Sequence, residues 1–144
     1  MRRLKLLVVI TISAMAGAAA ALIAQEKVLH STVFEWTSAG AKPNAWGAVR
    51  QVVRSRTPTL DELEIHVSTL NPGQSPHEPH QHQHEELLIV KQGTLETFQN
   101  SETRRAGEGD IIFQASNERH NVRNVGKAPA VYYVIGWTVP GAPK

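Results

Sequence analysis

Histidine and carboxylate side chains concentrate in one short stretch, HQHQHEE, which starts at His80. Four of the seven histidines lie within residues 77–84, and a fifth follows at His120. His80 and His82 alternate, and in an extended strand residues i and i+2 lie on the same face. The spacing therefore predicts two imidazoles directed at one point, with the Glu86 carboxylate close by. Imidazole nitrogens together with a carboxylate oxygen suit first-row metals such as iron, manganese, copper, nickel or zinc.

Other ionisable side chains near this stretch are weaker candidates. A histidine-rich loop can bind metal adventitiously or not at all, so HQHQH alone leaves the question open. We interpret His77 and His84 as loop residues, with a supporting role open for His84. Glu85 has the opposite strand parity to Glu86, which disfavours it as a ligand. His66 could line a barrel interior, but a structural histidine is the favoured interpretation.

Short strands are the predicted elements that position these side chains. Runs of β-branched and aromatic residues cover residues 48–53, 63–70, 86–92, 94–99, 102–106, 110–114, 120–124 and 130–137. Turn residues separate the runs, and no stretch after residue 25 keeps a helical period for three turns. The pattern predicts an all-β sandwich or barrel, and 144 residues suit a single domain with its own core.

The spacing in this stretch resembles the first motif of the cupin superfamily. That motif consists of G, five residues, H-x-H, three or four residues, E, six residues and G. His80, His82, Glu86 and Gly93 match its ligand and closing positions, while Gly73 lies one residue further from His80 than the motif asks.

A second segment, residues 109–124, resembles the second cupin motif. That motif consists of G, five residues, P-x-G, two residues, H, three residues and N, and Gly109, His120 and Asn124 match it. Ala115 replaces the proline and Asn117 replaces the glycine. Asparagine tolerates a left-handed turn position better than most residues, so neither change affects a ligand.

The resemblance implies an all-β double-stranded β-helix, the cupin jelly-roll barrel, over residues 48–139. It also implies that both motifs converge inside the barrel, so that His80, His82, Glu86 and His120 bind one divalent first-row metal ion. Four protein ligands leave one or two positions open for a substrate, water or dioxygen. We expect a metal-binding cupin that acts on a small organic molecule, with dioxygenase-like chemistry as one example.

The alternative is a non-catalytic cupin that binds a metal or a small ligand. The sequence identifies no catalytic side chain, so enzyme status stays open. Five aromatic side chains are candidates for the pocket wall, although a plain core position is the favoured interpretation for each. They are Phe98, Phe113, Tyr132, Tyr133 and Trp137.

The N-terminal residues 1–24 have the pattern of a secretory signal peptide. Arg2, Arg3 and Lys5 precede an uncharged run over residues 6–24 that ends in small residues. We predict cleavage and export to the periplasm or medium; the alternative is a membrane anchor formed by residues 6–24. Removing this segment leaves 12 basic and 13 acidic side chains, a net charge of −1, so no nucleic-acid partner is expected. The chain has no cysteine and therefore no disulfides.

Residues 25–47 form a predicted N-terminal extension without a sustained strand pattern. It carries Val33, Phe34, Trp36 and Trp46. The cupin resemblance suggests that such an extension packs across a two-fold partner, which predicts a homodimer. The competing possibility is a monomer whose extension wraps its own barrel.

Overall fold

A computed structural model describes residues 28–38 and 40–142 of the chain. One short 3-10 helix, Trp36–Ser38, precedes the strands. The strands are β1 (Lys42–Asn44), β2 (Gly47–Ser55), β3 (Glu62–Leu70), β4 (Glu85–Gln92), β5 (Leu95–Gln99), β6 (Glu102–Ala106), β7 (Ile111–Gln114), β8 (His120–Asn124) and β9 (Ala130–Thr138). No helix within these described residues is long and apolar enough to span a bilayer. The predicted signal peptide, residues 1–24, lies outside them.

Two antiparallel sheets form the domain. The larger has the order β1-β2-β3-β9-β4-β7 and the smaller the order β6-β5-β8. Strand β9 inserts between β3 and β4. The last strand of the chain therefore lies in the same sheet as the first strands. The all-β prediction is confirmed, and each predicted run from residue 48 onward contains an observed strand. Strand β1 is an addition, within the extension for which no strand pattern was found.

The core lies between the sheets because each strand turns alternate residues inward. In β9, Ala130, Tyr132 and Val134 are buried while the residues between them are partly exposed. They pack with Leu88 and Val90 of the large sheet and with Leu95 and Val122 of the small sheet. This alternation follows from the two-residue period of a strand. The inward-facing apolar side chains of the two sheets therefore pack into one core.

Gly93, which ends the first motif, adopts a conformation that other residues rarely adopt. Its φ is +88°, and a Cβ at this position would lie 3.0 Å from both Cα and Cβ of Ala130. Both the left-handed backbone and the close approach of β9 favour glycine here. Asn117 has a φ of +59°, so asparagine occupies the left-handed position that the second motif gives to glycine.

Candidate metal centre

A cavity of about 350 Å³ lies between the two sheets. Its inner part is lined by core side chains such as Leu88, Val122 and Tyr132. Six of the seven histidines also line it: His66, His77, His80, His82, His84 and His120. A concave site with an apolar floor and a few convergent polar groups is typical of a small-molecule site.

Two local interactions fix the backbone of the histidine stretch. His80 forms an isolated antiparallel bridge with His120, in which each N–H donates to the other carbonyl at 3.0 and 2.8 Å. The N–H of Asn117, in its left-handed turn, donates to the carbonyl of His82 at 2.7 Å. His80 and His82 both precede β4, so the alternation of a regular strand is not what aligns them. Their rings nevertheless converge, with centroids 5.2 Å apart.

The hydrogen bonds of His82 and His120 define which ring nitrogen faces the cavity. Nδ1 of His82 lies 2.8 Å from the carbonyl of His84, and Nδ1 of His120 lies 2.8 Å from the carbonyl of Glu118. A carbonyl only accepts, so each Nδ1 carries the proton and each Nε2 presents a lone pair. The two Nε2 atoms face each other at 3.1 Å. Two acceptors at this distance repel unless a proton or a cation lies between them.

His80 and Glu86 complete this arrangement. Nδ1 of His80 is buried and has no hydrogen-bond partner among the described residues. Ligand atoms of His80, His82 and His120 all lie within 4.8 Å of one another. Oε2 of Glu86 lies 3.6 Å from Nε2 of His82. The structure thus brings together all four residues predicted as ligands, and the facing lone pairs and the buried Nδ1 fit a divalent metal.

His84 lies in the loop before β4 and contacts two of the predicted ligands. Its ring stacks on His82 with centroids 3.6 Å apart and planes 2° apart. Its Nε2 lies 2.9 Å from Oε1 of Glu86. His82, His84 and Glu86 form a second group able to hold a metal, and this group shares His82 with the group of His80, His82 and His120. His77 also contacts the cluster, with its ring 3.8 Å from that of His80.

The two motif segments and the barrel that joins them resemble a known protein family. A family model described as "Cupin domain" matches residues 66–136. The chain belongs to the cupin superfamily. No match was found among curated protein sequences.

Solved cupin structures share this fold at low sequence identity. An RmlC-like cupin from Shewanella frigidimarina superposes with a TM-score of 0.61 at 12% identity, covering 77% of this chain and 95% of that one. KdgF from a Halomonas species gives 0.58 at 19%, covering 74% and 94%. A predicted oxalate decarboxylase from Thermotoga maritima gives 0.58 at 18%, covering 75% and 100%. At such identities the likeness shows the fold alone.

Charges in the cupin cavity favour a carboxylate beside neutral and protonated imidazoles. Burial opposes ionisation of Glu86, but the hydrogen bonds and charges of His82 and His84 outweigh it and hold its pKa well below the usual range. Burial likewise opposes a charge on His82, yet Glu86 and the His84 carbonyl raise its pKa. Burial and the neighbouring histidines lower the pKa of His80 to about 4. Burial lowers the pKa of His120 as well.

Most of the aromatic residues predicted for the pocket wall lie elsewhere. Of the five, Tyr132 alone lines the cavity; it is buried beside Ser68, and burial raises the pKa of its hydroxyl. Phe113 is 49% exposed on the outer face of β7. Trp137 donates to Oε2 of Glu85 at 3.1 Å, on the face of β4 opposite to Glu86. Phe98 and Tyr133 line two other surface depressions.

The wall formed by β2 and β3 was not identified from the sequence as functional. Arg54, Glu64 and His66 all line the cavity there. His66 was favoured as a hydrogen-bonded structural histidine, but it lines the cavity, and its buried Nδ1 lies 3.4 Å from Oε1 of Glu64 without forming a hydrogen bond in the described residues. Glu64 and His66 are ionisable residues that alternate on one face of a strand. This pattern could have identified them as lining a polar cavity.

Proposed function

We propose that this cupin is an exported protein that binds one divalent first-row metal ion through His80, His82, Glu86 and His120, and a small organic molecule beside it. The observation that carries the proposal is the pair of facing Nε2 lone pairs, 3.1 Å apart. Only a proton or a cation relieves that contact. A buried His80 Nδ1 without a partner in the described residues adds a further donor atom that a metal can use.

The chain's own groups prepare this site in three ways. The backbone carbonyls of His84 and Glu118 orient the rings of His82 and His120 and hold their protons on Nδ1. The His84 ring fixes Glu86 from its other oxygen. The apolar inner wall limits water around the bound molecule, and a cavity of about 350 Å³ admits only a small one. When bound, the ion supplies positive charge that polarises an oxygen of that molecule.

Metal analysis is the first test of this proposal. Protein purified from its own host should contain about one first-row ion per chain, measured by plasma mass spectrometry. His82→Ala and His120→Ala should each lower occupancy at least tenfold, since a lost ligand should exceed the effect of a lost outer partner. His30→Ala, an exposed histidine outside the cavity, is the control. Equal metal content in all three variants would exclude the site.

Catalysis is the second question, and dioxygenase-like chemistry is one form it could take. Oxygen consumption by metal-loaded protein with a panel of small phenols, enediols and carboxylic acids tests that form directly. Product analysis under argon covers decarboxylation by mass spectrometry and isomerisation, which leaves the mass unchanged, by proton magnetic resonance. A ligand that binds tightly and is recovered unchanged in both assays would instead favour the non-catalytic, ligand-binding cupin.

Export is supported by the basic residues Arg2, Arg3 and Lys5 ahead of the uncharged run. Fractionation of the native host followed by N-terminal sequencing should give a chain that begins near Gln25, outside the cytoplasm. A full-length chain in the membrane fraction would instead support an anchor formed by residues 6–24.

A homodimer is supported by the apolar outer face of the large sheet. On β7, Ile111 is 64% exposed and Phe113 is 49% exposed, and they pair with Ile89 and Leu87 of β4. An exposed apolar edge strand invites pairing with another chain. The 3-10 helix lies on the barrel of its own chain, since Arg50 donates to the carbonyl of Trp36 at 2.9 Å. We propose a homodimer whose interface covers β7 and includes part of the extension, which light scattering would test.

A further inference from the structure

Three polar side chains form a part of the cavity wall that lies beside the proposed metal ligands. Glu64 of β3 and Glu86 of β4 both pair with Gly136 of β9, so they lie in one inward-facing row with a glycine between them. Two strand spacings put their Cα atoms about 10 Å apart. Arg54 pairs with Glu64 from β2, and His66 follows Glu64 on the same face of β3. A molecule held beside Glu86 would therefore meet this wall.

Contacts within the wall form a chain from cation to carboxylate to imidazole. Nη2 of Arg54 forms an ion pair with Oε2 of Glu64. Oε1 of Glu64 lies 3.4 Å from Nδ1 of His66. The Glu64 side chain is only 16% exposed. Burial opposes its ionisation, but Arg54 outweighs burial and lowers its pKa, so Glu64 is a carboxylate.

The carboxylate defines how the imidazole of His66 can act. It attracts a proton to Nδ1, the nitrogen that is buried beside it. The Nε2 edge is then a proton acceptor, and it is the part of the ring that can meet the cavity. The permanent charge of Arg54 disfavours a second metal ion at this wall. An imidazole oriented by a buried carboxylate is instead the arrangement of a general base.

We propose that His66 is an acid–base residue that contacts the bound molecule, and that Glu64, held by Arg54, is its positioning residue. The inference rests on the proposed function, because the molecule must bind beside the metal ligands to reach His66. In the step, an O–H or N–H bond of the molecule breaks and an Nε2–H bond forms. The electron pair stays on the molecule, whose new negative charge balances the imidazolium, and Glu64 stabilises the proton on Nδ1.

Proton counting with a defined probe tests the role of His66. Acetohydroxamic acid binds zinc through two oxygens and loses one proton as it does so. Calorimetry of zinc-loaded protein in two buffers at about pH 8, where free histidine is neutral, gives the number of protons released. In wild type, His66 should take up the proton that the probe loses. Wild type should therefore release about one proton fewer than His66→Gln and bind the probe about tenfold more tightly. His30→Gln, which changes an exposed histidine outside the cavity, is the control and should behave as wild type.

Glu64→Gln tests the positioning role and changes almost no volume. In nitrogen-15 spectra of the metal-free protein, wild-type His66 should be protonated on Nδ1, and Glu64→Gln should shift the proton toward Nε2. An unchanged His66 spectrum would overturn the role of Glu64. Equal proton release by wild type and His66→Gln, with zinc bound to both, would overturn the role of His66. Failure of wild type to retain zinc would overturn the proposed function itself.

Discussion

Replacing His120 with glutamine should separate metal binding from folding. The bridge between His80 and His120 uses only backbone atoms, so the variant keeps it. Without metal, the two Nε2 atoms of the wild type lie 3.1 Å apart and need a proton between them, whereas a glutamine amide can donate to His82 without one. We therefore expect the metal-free variant to be at least as stable as the metal-free wild type, and the metal-loaded variant to be less stable.

The loss of stability in the metal-loaded variant can be calculated from the linkage between metal binding and folding. Free zinc at one hundred times the wild-type Kd stabilises the folded state by about 2.7 kcal/mol. Loss of a ligand should weaken binding by roughly 100-fold or more. The same zinc concentration then stabilises the variant by only about 0.4 kcal/mol. The difference of about 2.3 kcal/mol corresponds to roughly 10 °C in Tm for a domain of this size.

Thermal unfolding followed by circular dichroism, with zinc and with chelator, measures both effects. The zinc-dependent rise in Tm should nearly disappear in His120→Gln and persist in His30→Gln. A variant that keeps the full zinc-dependent rise would show that His120 is not a ligand. A metal-free variant less stable than metal-free wild type by more than about 1 kcal/mol would refute the argument from facing acceptors.

Three further outcomes are expected. Apparent zinc affinity, measured by competition with a chelating dye, should fall about tenfold per pH unit below the raised pKa of His82, because a proton then occupies Nε2. An affinity that rises on acidification would contradict this expectation. Gly93→Ala should lower the free energy of unfolding by about 2–3 kcal/mol in urea titrations, against about 1 kcal/mol for Gly73→Ala, whose Cβ meets nothing within 4 Å. Ile111→Lys should convert a dimer to a monomer by light scattering, while Thr103→Lys on the smaller sheet should not.

The strands could be predicted because their residues alternate between short, well-marked turns. The face that each strand buries was harder to assign. In β9, Tyr132 faces the cavity and Tyr133 faces outward, yet both have apolar neighbours, so no polar residue marks the outer face. Trp137 and Phe113 were misassigned for the same reason. Where both faces of a sheet are apolar, a two-residue period does not say which one is the interior.

The proposed ligands could be predicted from spacing, but the cavity around them could not. His84 lies in irregular chain before β4, and its stacking on His82 depends on how that chain turns rather than on a strand period. His77 reaches the cavity in the same way, from the preceding loop. A periodic pattern describes residues inside strands, so side chains delivered by irregular segments escape it.

A β-bulge explains why the polar wall escaped prediction as well. Val49 faces the cavity, and regular alternation would next turn residues 51 and 53 inward and Arg54 outward. The register shifts between Gln51 and Val53, so Val53 pairs with outward-facing Ile65 and Arg54 pairs with Glu64. One extra residue thus re-aims a charged side chain into the cavity, which is a common use of bulges near functional sites. Without it, Glu64 would lie buried opposite a valine, its pKa would rise, and His66 would lose the carboxylate that orients it.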